Sequence, residues 1–515
     1  MAQYLNSEQK KAIEHGNGPL LIIAGAGTGK TTVITERIKH LIVEKNITSA
    51  SVLALTFTDK ASYEMQERID ILLPYGYTNL WINTFHAFAD RILREEVHNI
   101  GLDTGYKLMS ESESVLFLRT NIFSLGLRLF KPYGSPTRFL DALLTHFSRL
   151  GDEDITPDEY IRFAQTQNSK LKTQNEKEIF VNEPYMELAN AYKKYNELKV
   201  TESVMDFSDL ISNTLKLFRT RKNILKRYQK QFKFILVDEF QDTNYAQNEL
   251  AILLAGDDRN ITVVADDDQA IYRFRGAAVS NVLQFKKNFP KASIITLIDN
   301  YRSTQTILDA AYQLIQQNNP NRLEVVEKIN KKLKSHSTAS KKEVILIHEN
   351  RAEDEADSIA KTTLELTENS YELRDIAILV RANNHAQMIT TALVRHRIPY
   401  QFLGPGYLFQ QEEVKDLIAY LTFLTNLSDS VSLFRVLSMD VFDIPYIELN
   451  YLLNFAKKKN LALFEALENA NLTFLKPETQ EKLKNFRQMV VRHLEKSRRE
   501  PAGQILYYFL VDSKL

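Results

Sequence analysis

The sequence predicts an α/β fold, a parallel sheet covered by helices on both faces and interrupted by α-helical insertions. Three observations predict it. Short apolar runs alternate with stretches of helical spacing, and one run, Leu20–Ile23, passes directly into a glycine-rich loop and a helix. The long stretch Phe88–Arg227 carries helical periodicity with little strand signal.

Taken in order, Leu20–Ile23 is the first strand, and Ile34, Ile38, Leu41 and Ile42 mark the buried face of the helix behind the loop. Val52–Phe57 is a second strand, with a helix from Lys60. Phe234–Val237, Ile261–Val264 and Ile294–Leu297 repeat the pattern. Val344–Ile347, Ile376–Val380 and Tyr400–Leu403 predict a second α/β unit, and from Asp443 onward the spacing is helical again. The predicted division is residues 1–92 and 202–282 for the first α/β domain and 93–201 for a helical insertion. Residues 283–440 form a second, incomplete α/β domain, and 441–515 belong to a further helical insertion.

A chain of 515 residues needs several cores. Sixteen glycines and 13 prolines are about half the usual share, which favours helices and short loops. No stretch approaches the ~18 consecutive apolar residues of a membrane helix. The absence of cysteine excludes disulfides, thiol catalysis and cysteine-ligated zinc or iron–sulfur centres. Lys plus Arg and Asp plus Glu number 65 each, so contact with nucleic acid would need a local basic groove. The first residues lack an apolar targeting segment and include Glu8 and Glu14, so a cytoplasmic location is expected.

Ala24-Gly25-Ala26-Gly27-Thr28-Gly29-Lys30-Thr31-Thr32 follows the first strand and opens a helix. Glycines let backbone N–H groups turn onto phosphates, the helix N-terminus adds its dipole, Lys30 reaches the β- and γ-oxygens, and Thr31 can hold Mg²⁺. Ala24 stands where the usual GxxxxGKS/T pattern has its first glycine. The partner acid belongs at the end of another strand, and Phe234–Val237 ends in Asp238-Glu239. Asp238 suits Mg²⁺, and Glu239 suits activation of the attacking water.

The following residues narrow the class. Asp238–Asn244 reads DEFQDTN and resembles the motif of that spelling in the UvrD/Rep/PcrA group of superfamily 1 DNA helicases. The resemblance runs through most of the chain. Leu5–Gln9 resembles the Q motif, Leu55–Ala61 the LTFTNKAA motif with Asp59 for Asn, and Thr84–Phe88 the TFH motif. Met205–Leu210 is similar to MDFDDL, Asp266–Ala277 to GDDDQSIYxWRGA with Phe274 for Trp, and Asn300–Thr304 to NYRST. Asp375–Asn383 resembles DIAVLYRTN, with Gln387 where a later Arg stands, and Phe409–Asp416 resembles FFERKEIKD.

The resemblance implies two RecA-like domains, the second incomplete, with inserted helical subdomains, and an ATP- and Mg²⁺-dependent 3′ to 5′ DNA helicase. Its substrates would be single-stranded DNA and single/double-strand junctions. A translocase that strips proteins from DNA, and a binding module without turnover, are the alternatives. Catalysis would fall to Lys30, Asp238, Glu239, Gln269 and Arg302, with Thr31 and Asp238 on the metal. Nucleotide contacts would come from Gln9, Ala24, Gly25, Ala26, Gly27, Thr28, Gly29, Lys30, Thr31, Thr32, Arg37, Tyr301 and Arg302. DNA contacts would come from Thr56, Phe57, Thr84, His86, Tyr272, Phe274, Arg275, Arg381 and Asn383, since stacking platforms beside cations bind single strands. Nothing after Pro445 resembles the family's VHSAKGLEW or RRLLYVAxTRA motifs. A fragment of a longer protein, weakly active or inactive alone, is therefore expected.

Overall fold

The computed structural model describes residues 5–73, 79–171, 179–257, 259–272, 279–338, 343–369, 371–404, 408–469 and 474–515. The chain divides into two compact units, residues 1–345 and 346–515.

The first unit is built on a six-stranded, wholly parallel sheet. Its strands are β1 (Leu20–Ala24), β2 (Val52–Thr56), β3 (Trp81–Thr84), β6 (Phe234–Val237), β7 (Ile261–Ala265) and β8 (Ser293–Leu297), in the spatial order β3-β2-β6-β7-β1-β8. Alternate residues of β1 enter different cores. Leu21 and Ile23 pack on one face with Phe85, Phe88 and Phe218, while Leu20, Ile22 and Ala24 pack on the other with Val33, Ile34 and Ile38. This is why the strand reads as an unbroken apolar run. Helices α1 (Ser7–Glu14), α2 (Lys30–Lys39), α3 (Asp59–Leu72) and α4 (Phe85–Glu96) surround the first three strands.

Two differences from the sequence reading concern this sheet. Trp81–Thr84 ends in Asn83 and Thr84 and so does not stand out as an apolar run, yet it forms the edge strand against β2. Ile294–Leu297 pairs with β1 through Leu20↔Ser293 to Ala24↔Leu297, so the first domain extends past the expected boundary at residue 282.

The insertion has a core of its own, drawn from Met109 to Val204 on α5 (Glu111–Asn121), α6 (Leu140–Asp152), α7 (Pro157–Leu171) and α8 (Ile179–Thr201). Its entry and exit are pinned together by β4 (Lys107–Leu108) and β5 (Val204–Met205), a two-stranded parallel pair. Helices α9 (Phe207–Thr220) and α10 (Lys222–Gln231) return to the sheet, and α11 (Tyr245–Ala255) follows β6. After β8, the short strand β9 (Asp299–Asn300) pairs with β10 (Lys334–Ser335).

The second unit is helical among the described residues. Its main core joins helices between Glu412 and Ser513, around Tyr420, Phe423, Leu437, Leu452, Phe486 and Phe509. A smaller cluster joins Ala356 and Ala360 to Ala392, Leu393 and Ile398. The expected strands Val344–Ile347, Ile376–Val380 and Tyr400–Leu403 carry no strand pairing. An apolar run records a capacity to form a sheet, but a strand exists only where a neighbour completes its hydrogen bonds. Here Leu379 is 93% exposed. Among the described residues, no helix is long and apolar enough to cross a membrane.

Candidate active site

The carboxyl ends of the six parallel strands gather most of the residues singled out in the sequence, where ligands bind in open parallel α/β sheets. β1 delivers the glycine-rich loop. Gly27 and Gly29 take φ of 72° and 86°, and Gly29 caps α2. A Cβ on Gly27 would meet the Arg302 Cβ and Asn300 Nδ2 at 2.7 Å, so the close approach of the 300–302 segment requires glycine there. Asn300 Nδ2 donates to the Ala26 carbonyl (2.5 Å), and Tyr301 N donates to that of Gly27 (3.0 Å).

Gln9 braces the loop from the other side. Its Nε2 donates to the Thr28 carbonyl at 3.0 Å, while its Oε1 accepts from Asn6 N in a capping box that starts α1. Asn6 Nδ2 in turn donates to Asp299 Oδ2 (3.0 Å) and Tyr301 Oη (3.1 Å). Ala24 is the buried last residue of β1, and the Thr28 hydroxyl turns inward to the Gly25 carbonyl. These residues shape the loop more than they face a ligand.

β6 ends in the two acids. Asp238 is 5% exposed; burial, then the neighbouring Glu239, pushes its carboxyl up to about 6, against the pull of Lys30. Glu239 sits at φ 47°, a left-handed conformation that a non-glycine residue adopts at a cost. Its Oε2 accepts from Lys30 Nζ (2.7 Å) and Gln241 Nε2 (2.7 Å). Gln241 Oε1 accepts from Asp266 N (3.0 Å), and Gln269 bridges onward, donating to Asp266 Oδ2 (2.6 Å) and accepting from Lys30 (3.3 Å). Phosphate-loop lysine, strand-end acid and the glutamine after β7 thus form one connected network. Nearby, burial and then Glu239 push Asp242 up to about 7, and its buried Oδ1 has no hydrogen-bond partner among the described residues.

Gln9, Gly27, Lys30, Thr31, Thr32, Arg68, Glu239, Gln269, Tyr301 and Arg302 all line one cleft of about 640 Å³. The hydroxyl of Thr31 and the carboxylate of Asp238 are oxygen donors of the kind Mg²⁺ prefers, and Asp238 is a buried carboxyl that a cation would return to its charged form. Arg68 lines the cleft, and Gln241 and Asn300 join its hydrogen-bond network, though none was among the expected site residues. Gln241 and Asn300 lie inside quoted motifs and Arg68 seven residues after one, which is the signal that could have found them.

Arg37 does not belong to this cleft. It is 1% exposed, and its Nη1 lies 3.1, 3.0 and 2.8 Å from the carbonyl oxygens of Ala12, Ile13 and His15. Its Nε donates to Thr262 Oγ1 (3.1 Å). The guanidinium satisfies the end of α1 and ties that helix to β7; burial pulls its pKa down to about 10. The expected nucleotide contact is corrected to a structural brace.

The expected DNA contacts fall into groups. Phe57 and Tyr272, from the ends of β2 and β7, meet with ring centroids 5.4 Å apart. His86, at the end of β3, meets Phe207 edge-on at 5.9 Å; burial lowers its pKa, against the opposing pull of Asp59. Phe207 is half exposed and extends the aromatic row, a role the sequence reading did not give it. The hydroxyls of Thr56 and Thr84 are buried and engaged locally, with the Thr58 carbonyl and with Ala87 N at the start of α4. Thr84 Oγ1 accepts from Ala87 N and so keeps its own O–H to donate, whereas the Thr56 O–H is already given to the Thr58 carbonyl. Phe274 and Arg275 lie outside the described residues. Arg381 and Asn383 are exposed in the second unit.

A second cavity, of about 510 Å³, lies at the root of the insertion around Lys199, which is already paired with Asp206 and Asp209 at 2.7 Å each. No expected site residue lines it.

A glycine-rich loop at a strand-to-helix junction, with strand-end acids and a basic residue facing it, defines a P-loop nucleoside-triphosphate-binding protein. The model of the UvrD/REP helicase N-terminal domain matches residues 5–290, and that of the UvrD-like helicase C-terminal domain matches residues 295–510. The chain belongs to the UvrD/REP helicase family. It is 32% identical over 491 residues to the ATP-dependent DNA helicase PcrA of Staphylococcus aureus, covering 95% of this chain and 63% of that protein. Against PcrA of Bacillus subtilis it is again 32% identical over 491 residues, covering 94% and 62%. The chain thus spans a little under two thirds of the length of these relatives. Both family domains find a match in this chain, the second over residues where the sequence reading expected an incomplete domain.

Proposed function

We propose that this chain is the ATP-hydrolysing motor of a DNA helicase or single-stranded DNA translocase, moving 3′ to 5′ and acting at single/double-strand junctions. Repair, replication or recombination in the cytoplasm is the setting. The observation that carries the reading is the short path from Lys30 through Gln269 to Tyr272. Gln269 accepts from Lys30 in the nucleotide cleft, and three residues further on Tyr272 meets Phe57 in the aromatic row. One segment therefore touches both the phosphate end of the site and a base-stacking platform.

In this reading the loop N–H groups and Lys30 bind the triphosphate, and Tyr301 stacks on the base. Lys30 leaves Glu239 for the phosphates, which frees that carboxylate to take a proton from water as its oxygen attacks the γ-phosphorus. The bond to the β–γ bridging oxygen breaks, and Lys30 and Arg302 neutralise the charge that develops. Mg²⁺ held by Thr31 and Asp238 would supply further neutralisation of the phosphate oxygens. Gln269, sensing the γ-phosphate, passes its state to Tyr272.

Unwinding of a short duplex bearing either a 3′ or a 5′ single-stranded tail tests the reading. ATP-dependent strand separation from the 3′ tail is expected. Separation only from the 5′ tail would reverse the polarity, and ATP turnover without separation from either would favour a translocase.

A further inference from the structure

Three consecutive acids, Asp266, Asp267 and Asp268, follow β7, with carboxylate oxygens within 4.8 Å of one another. Such a cluster would suit a cation, but the chain supplies its own. Lys331, 7% exposed, places Nζ at 2.7 Å from Asp266 Oδ1, 2.5 Å from Asp267 Oδ1 and 2.7 Å from Asp268 Oδ2. Arg322 grips Asp268 with two 2.7 Å bonds, Nε to Oδ1 and Nη2 to Oδ2. Burial pulls the Lys331 pKa down, but the three carboxylates outweigh it and hold the ammonium above the ordinary lysine range.

The segment that carries Lys331 also touches the nucleotide site twice more. The Leu333 side chain backs Gly25 so closely that a Cβ there would come within 2.9 Å. Lys334 N donates to the Ile298 carbonyl (2.8 Å) and His336 N to that of Asn300 (2.7 Å), next to Tyr301 and Arg302.

Lys331 and Gln269 bind opposite oxygens of one carboxylate. Lys331 holds Asp266 Oδ1, while Asp266 Oδ2 accepts from Gln269 Nε2 at 2.6 Å, leaving Gln269 Oε1 toward Lys30. Without the ammonium, three adjacent carboxylates repel one another, and the Asp266 carboxylate loses the Nζ that holds its Oδ1 side. A carboxylate that turns away no longer anchors the Gln269 amide.

We propose that Lys331 is a positioning residue for γ-phosphate recognition, acting through Asp266 to hold Gln269 against the nucleotide cleft. The inference rests on the ATPase reading and deepens it.

The test is equilibrium binding of ADP and a non-hydrolysable ATP analogue to the whole chain, as wild type, Lys331→Ala, Lys331→Arg, Gln269→Ala and the Lys331→Ala/Gln269→Ala double variant. Wild type should prefer the triphosphate. Lys331→Ala should lose roughly tenfold of that preference, the scale of one hydrogen bond to a charged group, with ADP affinity little changed. Lys331→Arg should restore most of it, and the double variant should be no worse than Gln269→Ala. Should Lys331→Ala fail to fold, the isosteric Asp266→Asn should show the same loss. A preference retained in Lys331→Ala or Asp266→Asn, or losses that multiply in the double variant, would overturn the inference alone. A wild type that binds neither nucleotide would overturn the motor reading, and this inference with it.

Discussion

Lys30 Nζ lies 2.7 Å from Glu239 Oε2, so the phosphate-binding lysine and the expected water-activating carboxylate neutralise each other across the cleft. Triphosphate binding must break this pair, releasing an anion where a base is needed and a cation where charge develops. Lys30→Ala should therefore lower hydrolysis by about 10²-fold or more, the cost of removing one donor to a developing charge. Affinity for oligo-dT, measured by fluorescence anisotropy, should stay within a few-fold. An unchanged turnover rate would remove Lys30 from the chemistry.

Glu239→Gln keeps the shape of the strand end and leaves Asp238 charged. Nucleotide binding should persist, while phosphate release under single-turnover conditions should nearly cease. Loss of binding equal to the loss of rate would assign Glu239 to the metal instead.

Asp238 must be ionised to hold a cation, and burial, then Glu239, pushes its carboxyl up to about 6. The kcat/KM for MgATP, which reports the free enzyme, should fall as pH drops below about 6, while kcat at saturation should hold to lower pH. On stability, Asp242 and Asp238 act alike. The folded pKa of Asp242, about 7, and that of Asp238, about 6, both exceed the ordinary 3.8, so between these values the folded state holds extra protons and stability declines as pH rises. Denaturant midpoints across this range should show that slope, and Asp242→Asn should make it shallower, most of all between about 6 and 7.

Arg37→Ala should leave the preference for triphosphate intact and lower stability by roughly 3 kcal/mol, since it orphans the carbonyls of Ala12, Ile13 and His15. Denaturant titration reads the loss. A stable variant that no longer binds nucleotide would return Arg37 to the site.

These contrasts show what the sequence makes legible. The loop, the strand-end acids and Gln269 are readable because phosphate chemistry needs particular residue types at fixed local spacing, next to strands whose burial on both faces makes them continuous apolar runs. Arg37 is not, because an arginine two turns into α2 looks the same whether its guanidinium faces a phosphate or the end of α1. Lys331 is not, because its partners lie more than 60 residues away, and within its own segment it is one lysine among several. The strands expected between Val344 and Leu403 are legible only as short apolar runs, and pairing depends on neighbours that no local pattern names.

The aromatic row tests whether the nucleotide site answers to DNA. Phe57→Ala and Tyr272→Ala should each weaken oligo-dT binding by about 1–3 kcal/mol without lowering ATP affinity, because their rings meet each other and neither is among the residues that line the cleft. A variant that only melts at lower temperature would make the ring a packing residue.

The central claim is that one segment, Asp266 to Tyr272, joins ATP chemistry to a single strand. Steady-state phosphate release, measured with and without saturating oligo-dT, tests it most directly. The rate should rise on adding DNA in the wild type, stay at its unstimulated level in Tyr272→Ala, and vanish in Lys30→Ala. A wild-type rate indifferent to DNA, or full stimulation in Tyr272→Ala, would contradict the account.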